Sequence, residues 1–248
     1  LLSDGKILLG RTCFTDRGCA AVVVRCNANG SPDTTFDSDG KATAEFSGVS
    51  DLGYGIALQP DGKIMVTGIS SGAGDDFTVV RYNGNGSLDN TFDGDGKLTT
   101  DFGGSSTDVG RSIALQADGK IVVAGSRFSN GDSDFALARY NVDGSLDLTF
   151  DGDGKLTTNF GSSDEAWSIT LQSDGKILAA GRSVNGTFDF SIARYNSNGT
   201  LDTTFSGDGR VTTDFAGGAD FGRSVVVQAD GKILVAGSAF VFGDDDFA

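Results

Sequence analysis

Short runs of β-branched, aromatic and other apolar residues alternate along the whole chain with clusters of Gly, Asp, Asn and Ser, and none of them sustains the 3.6-residue period of a helix. Runs such as Ile121-Val122-Val123-Ala124 and Val225-Val226-Val227 are apolar at successive positions, the pattern of strands covered on both faces. Between residues 112 and 160 the pattern predicts four strands, 112–116, 120–125, 135–141 and 155–160, each bounded by turn-forming residues. Ala117-Asp118-Gly119 joins the first two as a tight turn in which glycine takes positive φ. The chain reads as all-β.

The same four-strand pattern recurs. Asp-Gly-Lys-Ile begins at residues 4, 61, 118, 174 and 230, at intervals of 57, 57, 56 and 56. Arg-Tyr-Asn stands in phase with it at Arg81, Arg139 and Arg194, and Arg25-Cys26-Asn27 is a divergent first copy. A third block, 85–97, returns at 143–155 and, with substitutions, at 198–210. Four antiparallel strands in about 57 residues match one blade of a β-propeller, whose small sheet buries both faces against its neighbours. A stacked solenoid usually has shorter coils, and a β-sandwich would not explain near-identical repeats. The expectation is a single β-propeller repeat domain over residues 1–248, with four full four-stranded blades and part of a fifth. Because 227–248 repeats the phase of 1–21 and Leu1 opens in mid-pattern, the chain is expected to be a window from a longer protein.

Composition narrows the partners. The chain has 38 Gly, 2 Pro and no His, and its net charge is -15. Apolar residues at 38%, with 18 Phe among them, are enough to build a core and too many for a disordered acidic chain. The charge argues against nucleic acid or an anionic membrane as the main partner, and no apolar run is long enough to span a bilayer. Without histidine, and with the serines in Gly/Ser turns, no catalytic residue is expected. Paired aspartates can hydrolyse glycosides, but the many Asp-x-Asp spacings read better as turns.

The strings 116–125 (QADGKIVVAG), 134–141 (DFALARYN) and Gly144-Ser145-Leu146-Asp147 resemble the bacterial delta-60 repeat, of a β-propeller family described as a domain of unknown function. The resemblance covers essentially the whole chain. It implies large bacterial secreted or cell-surface proteins and carries over no catalytic residues. The first copy departs most, with Ala20-Ala21 in place of Asp-Phe and Cys26 in place of Tyr.

Four features hold candidate chemistry. Asp93, Asp95 and Asp101 occupy loop positions that a calcium ion would use, so Ca2+ is the one cofactor to consider; against it stand Lys97 within the loop and the absence of a closing glutamate. Arg81, Arg139 and Arg194 sit in apolar strands and need partners, and Asp89, Asp147 and Asp202 are expected to supply them as a structural clamp. Tyr54, Arg111, Trp167 and Arg223 vary at one station of the repeat, expected to be a loop on a binding rim that could grip a protein or stack on glycans. Cys13 and Cys19 flank a hairpin and could form a disulfide. The leading expectation is a non-enzymatic extracellular scaffold whose partners are other domains of the same protein or neighbouring subunits.

Overall fold

A computed structural model describes residues 2–15, 18–46, 50–71, 74–104, 106–241 and 244–247, with the side chains of 11–19 and 241–247 left out. Contacts divide the chain into two compact units, the first being Leu1–Ile113 with Val142–Ser145, the second Ala114–Asn141 with Leu146–Ala248. No helix forms among the described residues.

In the first unit β1 (Ile7–Thr15), β2 (Gly18–Cys26) and β3 (Lys41–Ala44) pair in order, all antiparallel. A complete four-stranded antiparallel sheet follows: β4 (Ser50–Leu58), β5 (Ile64–Ser71), β6 (Asp75–Tyr82) and β7 (Lys97–Thr100). The next repeat opens with β8 (Thr107–Leu115). Single parallel bridges, Cys19 to Ser50 and Asp75 to Thr107, tie the sheets of successive repeats.

The second unit continues with β9 (Ile121–Ser129), β10 (Asp132–Tyr140) and β11 (Lys155–Thr158). Its complete sheet is β12 (Ser162–Leu171), β13 (Ile177–Asn185), β14 (Thr187–Tyr195) and β15 (Arg210–Thr213). The last sheet holds β16 (Asp220–Val227), β17 (Ile233–Val241) and β18 (Asp244–Phe247).

Burial on both faces follows from the apolar runs. Along β13, Ile177 and Ala179 pack with Val122, Phe135, Phe150 and Tyr195, while Leu178 and Ala180 pack on the other side with Val225. The first unit repeats this, with Val23, Phe36 and Ala42 against Ile64, Val66 and Tyr82.

The strands run further than the apolar pattern suggests. β8 starts at Thr107 instead of 112, and β9 and β10 extend to a hairpin at Asn130-Gly131, with φ of 55° and 86°. Ser126, Arg127, Ser133 and Asp134 make this outer half look like loop. The ladder holds because the register, Phe135 to Ser126 through Asp132 to Ser129, continues unbroken into a turn of the hand that hairpins favour. At the other end, Gly119 has φ of 85°, as the Asp-Gly-Lys turn requires.

Candidate functional site

Each repeat-wide arginine sits in a clamp. Arg81 Nε donates to Asp89 Oδ2 at 2.7 Å, Nη2 donates to Thr91 Oγ1 at 3.0 Å, and the guanidinium lies 4.6 Å from the Phe92 ring centroid. Arg139 does the same with Asp147, Thr149 and Phe150, Arg194 with Asp202, Thr204 and Phe205, and Arg25 with Asp33, Thr35 and Phe36. Nη1 reaches into the following repeat, where it donates to the carbonyl of Gly84 from Arg25, of Val142 from Arg81 and of Ser197 from Arg139. A partner that the sequence did not suggest is the lysine of the Asp-Gly-Lys turn. Lys63 and Lys120 each approach the clamp aspartate at 2.9 Å, which explains a recurring lysine in an acidic chain. Burial works to raise the Asp89 and Asp147 carboxyls, but these lysines, the threonine hydroxyl and N–H, and the arginine outweigh it and hold both well below the usual carboxylate range.

The varying station is not a loop. Tyr54, Trp167 and Arg223 lie inside β4, β12 and β16, each at a register shift, between Gly53 and Gly55, Ala166 and Ser168, and Gly222 and Ser224. Arg111 holds the corresponding place in β8. A β-bulge leaves one residue unpaired and re-aims its side chain, so a position that looked like tolerant loop is a fixed display point within a strand. In the first unit the Arg111 guanidinium lies 5.8 Å from the Tyr54 ring centroid. The second unit builds a denser cluster. Trp167 stacks on Phe221 at 5.8 Å with 18° between planes, Arg223 lies 3.9 Å from the Trp167 centroid, and Arg182 lies 4.2 Å from that of Phe188. Glu165 organises it, accepting from Trp167 Nε1 at 2.9 Å and from Arg182 Nη2 at 2.8 Å. Phe188, Phe221, Arg182 and Glu165 carry no repeat-wide signature, so nothing in the pattern marked them.

The calcium expectation at Asp93, Asp95 and Asp101 needs correction. Among the described residues these three do not group. Asp95 Oδ1 accepts from Lys97 N at 2.9 Å as a simple turn, and β7 then carries the chain roughly 13 Å onward before Asp101. Asp101 instead joins Asp76 and Asp108, whose carboxylate oxygens lie within 4.8 Å of one another, and Asp189, Asp214 and Asp220 form the equivalent group in the second unit. Burial and the neighbouring Asp101 raise the Asp76 carboxyl, and burial with Asp214 raises that of Asp189. The side chains of Cys13 and Cys19 lie outside the described residues, and Cys26 is a free, partly buried thiol.

The domain of unknown function (DUF5122) β-propeller family matches residues 2–36, 59–92, 116–150, 172–205 and 228–248. The chain belongs to the DUF5122 β-propeller family. Four of the five matched segments end on Phe36, Phe92, Phe150 and Phe205, the rings beneath the clamp arginines, so the DUF5122 signature in this chain coincides with the clamp. No curated protein matches this DUF5122 chain in sequence. Among solved structures it is similar to an endo-arabinase from Bacteroides thetaiotaomicron, at 11% identity and TM-score 0.46 over 96% of this chain and 90% of that one. It is also similar to a Bombyx mori β-fructofuranosidase in complex with sucrose, at 14% identity and TM-score 0.43 over 98% of this chain, and spans 60% of that enzyme. Identities this low transfer no activity.

Asp164, the counterpart of Asp108 and Asp220 in the DUF5122 chain, gives a pH test. Asp164 is buried in β12, where Oδ2 accepts from Phe160 N at 2.5 Å, and burial, with Asp134 and Asp132 nearby, raises its carboxyl to about 6 against those donors. Its folded value is above its unfolded one, so its contribution to stability is full below about pH 4 and is lost as pH rises through 6. Asp164→Asn keeps an oxygen for the Phe160 N–H and removes the titration. Urea melts should show the variant's advantage over wild type growing by about 2 kcal/mol between pH 4.5 and 7.5; an advantage independent of pH would contradict the assignment.

Proposed function

We propose that the chain is a non-catalytic extracellular or cell-surface β-propeller scaffold that docks a partner, another domain of its own protein or a neighbouring subunit, on the Trp167 cluster. The observation that carries this reading is a patch of aromatic and arginine side chains built on bulges rather than loops. Trp167 and Arg223 project from fixed strand positions, and the exposed Arg223 has no ion pair among the described residues. Aromatic and arginine side chains held rigid and partly exposed are what binding hot spots are made of. The acids with raised carboxyls speak for structure rather than chemistry, because Asp108 and Asp164 recur at one repeat position and each accepts a backbone N–H.

A carbohydrate ligand is the second reading, favoured by the stacked Trp167–Phe221 pair, which offers a planar apolar surface. Arrays of acidic peptides and of glycans, probed with the chain and with Trp167→Ala and Arg223→Ala variants, separate the two. The scaffold reading expects acidic peptides to be retained by the wild type and lost in both variants, with no glycan retained. Glycan retention abolished by Trp167→Ala would replace it with a lectin, and turnover on a glycoside panel would end the non-catalytic reading.

A further inference from the structure

We propose that Asp76, Asp101 and Asp108 bind one calcium ion, and that Asp189, Asp214 and Asp220 bind a second.

The strand register forces these acids together. In the first unit β6 and β7 pair Phe77 with Thr100, so the next step of the ladder sets Asp76 opposite Asp101; the parallel bridge from Asp75 to Thr107 brings Asp108 of β8 alongside. In the second unit Phe190 pairs with Thr213, which sets Asp189 opposite Asp214, and β16 packs on β14 to add Asp220. Like charges directly opposite on neighbouring strands repel, and here a third carboxylate joins each pair. In each group the three oxygens lie within 4.8 Å of one another.

A second observation points to a ligand. Asp108 and Asp220 are both 0% exposed. One oxygen of each is engaged, since Asp108 Oδ2 accepts from Phe102 N at 2.8 Å and Ser106 Oγ at 3.1 Å, and Asp220 Oδ2 accepts from Phe215 N at 2.6 Å. Oδ1 of both carboxylates is buried with no hydrogen-bond partner among the described residues. A buried carboxylate oxygen left unpaired beside two further carboxylates is costly, and a cation removes the repulsion and the unmet acceptor together.

The donor set selects the ion. Three carboxylates with no nitrogen or sulfur suit a hard cation rather than zinc or copper. Three acids gathered from two strands and the end of a third make an irregular set, which suits calcium, with its six to eight oxygens in flexible geometry, better than magnesium with its near-ideal octahedron at about 2.1 Å. Asp101 and Asp214 are exposed, so the remaining positions are open to water. The other two stations supply internal contrasts. Asp51 and Asp164 also leave Oδ1 unpaired there, but register sets Asp134 opposite Asn159 beside Asp164, and Ala20 opposite Glu45 near Asp51, and among the described residues neither station brings three carboxylate oxygens within that distance.

The test is calcium titration calorimetry and thermal melts on the intact chain, chelated first and held at constant ionic strength. The expected result is two calcium ions per chain and a rise in the melting midpoint of roughly 5 °C or more that the same concentration of magnesium does not produce. Asp101→Asn and Asp214→Asn should each remove one ion, and together both. An asparagine oxygen can still accept the Gly103 N–H that Asp101 holds, so these variants keep the fold. In chelator they should melt at or above the wild type, because one repelling charge has gone. Absence of stoichiometric binding at millimolar calcium, an equal response to magnesium, or binding untouched by the double substitution would each overturn the proposal and leave only counter-ions gathered by net charge.

Discussion

Replacing Gly181 by alanine is expected to destabilise the second unit by on the order of 3 kcal/mol and to open the bulge that carries Trp167. A Cβ at Gly181 would stand 1.8 Å from the Glu165 carbonyl oxygen, 2.9 Å from its carbon and 3.0 Å from Ala166 Cα. All three are backbone atoms on the bulged strand, so no side-chain rotation relieves the overlap. The carbonyl must swing away, and Trp167 moves with it, since the register shift lies between Ala166 and Ser168. Trp167 is the chain's single tryptophan, so one urea titration followed by its emission reads both the lost stability and the altered ring environment. Gly68 and Gly237 meet the Leu52 and Phe221 carbonyl oxygens at the same 1.8 Å, and Gly68→Ala should reproduce the cost without the change in emission. A loss below 1 kcal/mol with unchanged emission would show that the bulge yields freely.

Asp147→Ala should cost 3–5 kcal/mol, the usual penalty for stranding a buried charge, at about the upper end because two cations lose their acceptor. Arg139 is 4% exposed, its Nε donates to Asp147 at 2.7 Å, and Lys120 reaches the same oxygen at 2.9 Å. The Thr149 N–H and hydroxyl lose their acceptor as well. Removing both members, as Arg139→Met with Asp147→Leu, should cost less than the sum of the two single changes, because no guanidinium is left stranded, although Lys120 and the Thr149 donors still lose their acceptor. A double-mutant cycle in urea measures this, and additive losses would contradict a shared clamp. With the Asp147 carboxyl held low in the folded chain, the stability it supplies is present above the ordinary carboxylate range and is lost only as pH falls through the folded value. Clamp failure therefore belongs to strong acid, well away from the window in which Asp164 acts.

The repeat and its all-β character were legible because turn residues and buried strands recur in phase, and the pairing of Arg81, Arg139 and Arg194 with Asp89, Asp147 and Asp202 followed from the need to match a buried guanidinium. What the pattern does not mark depends on register. The outer halves of β9 and β10 are polar, and only the continuous ladder shows them as strand. Tyr54, Trp167 and Arg223 looked like loop because a bulge breaks the alternation that identifies a strand. Asp101 lies near Asp93 and Asp95 in sequence, whereas its neighbours across the ladder are Asp76 and Asp108. The recurrence of Asp76, Asp134 and Asp189 before Phe77, Phe135 and Phe190 was the available signal, and it acquires meaning only once cross-strand pairs are known.

The seam between repeats has a consequence for how such chains change over generations. The arginine of one repeat holds the next by a main-chain carbonyl, whether that residue is Gly84, Val142 or Ser197, and backbone bonds from Asp37 to Asn85, Asp93 to Asp143 and Asp151 to Asn198 follow the same rule. Every residue type offers that carbonyl, so the joint makes no demand on the newcomer's side chain there. Recombination that duplicates, deletes or swaps a unit in phase leaves a working joint behind it, and the bulge residue of each unit is free to diverge while the number of units drifts.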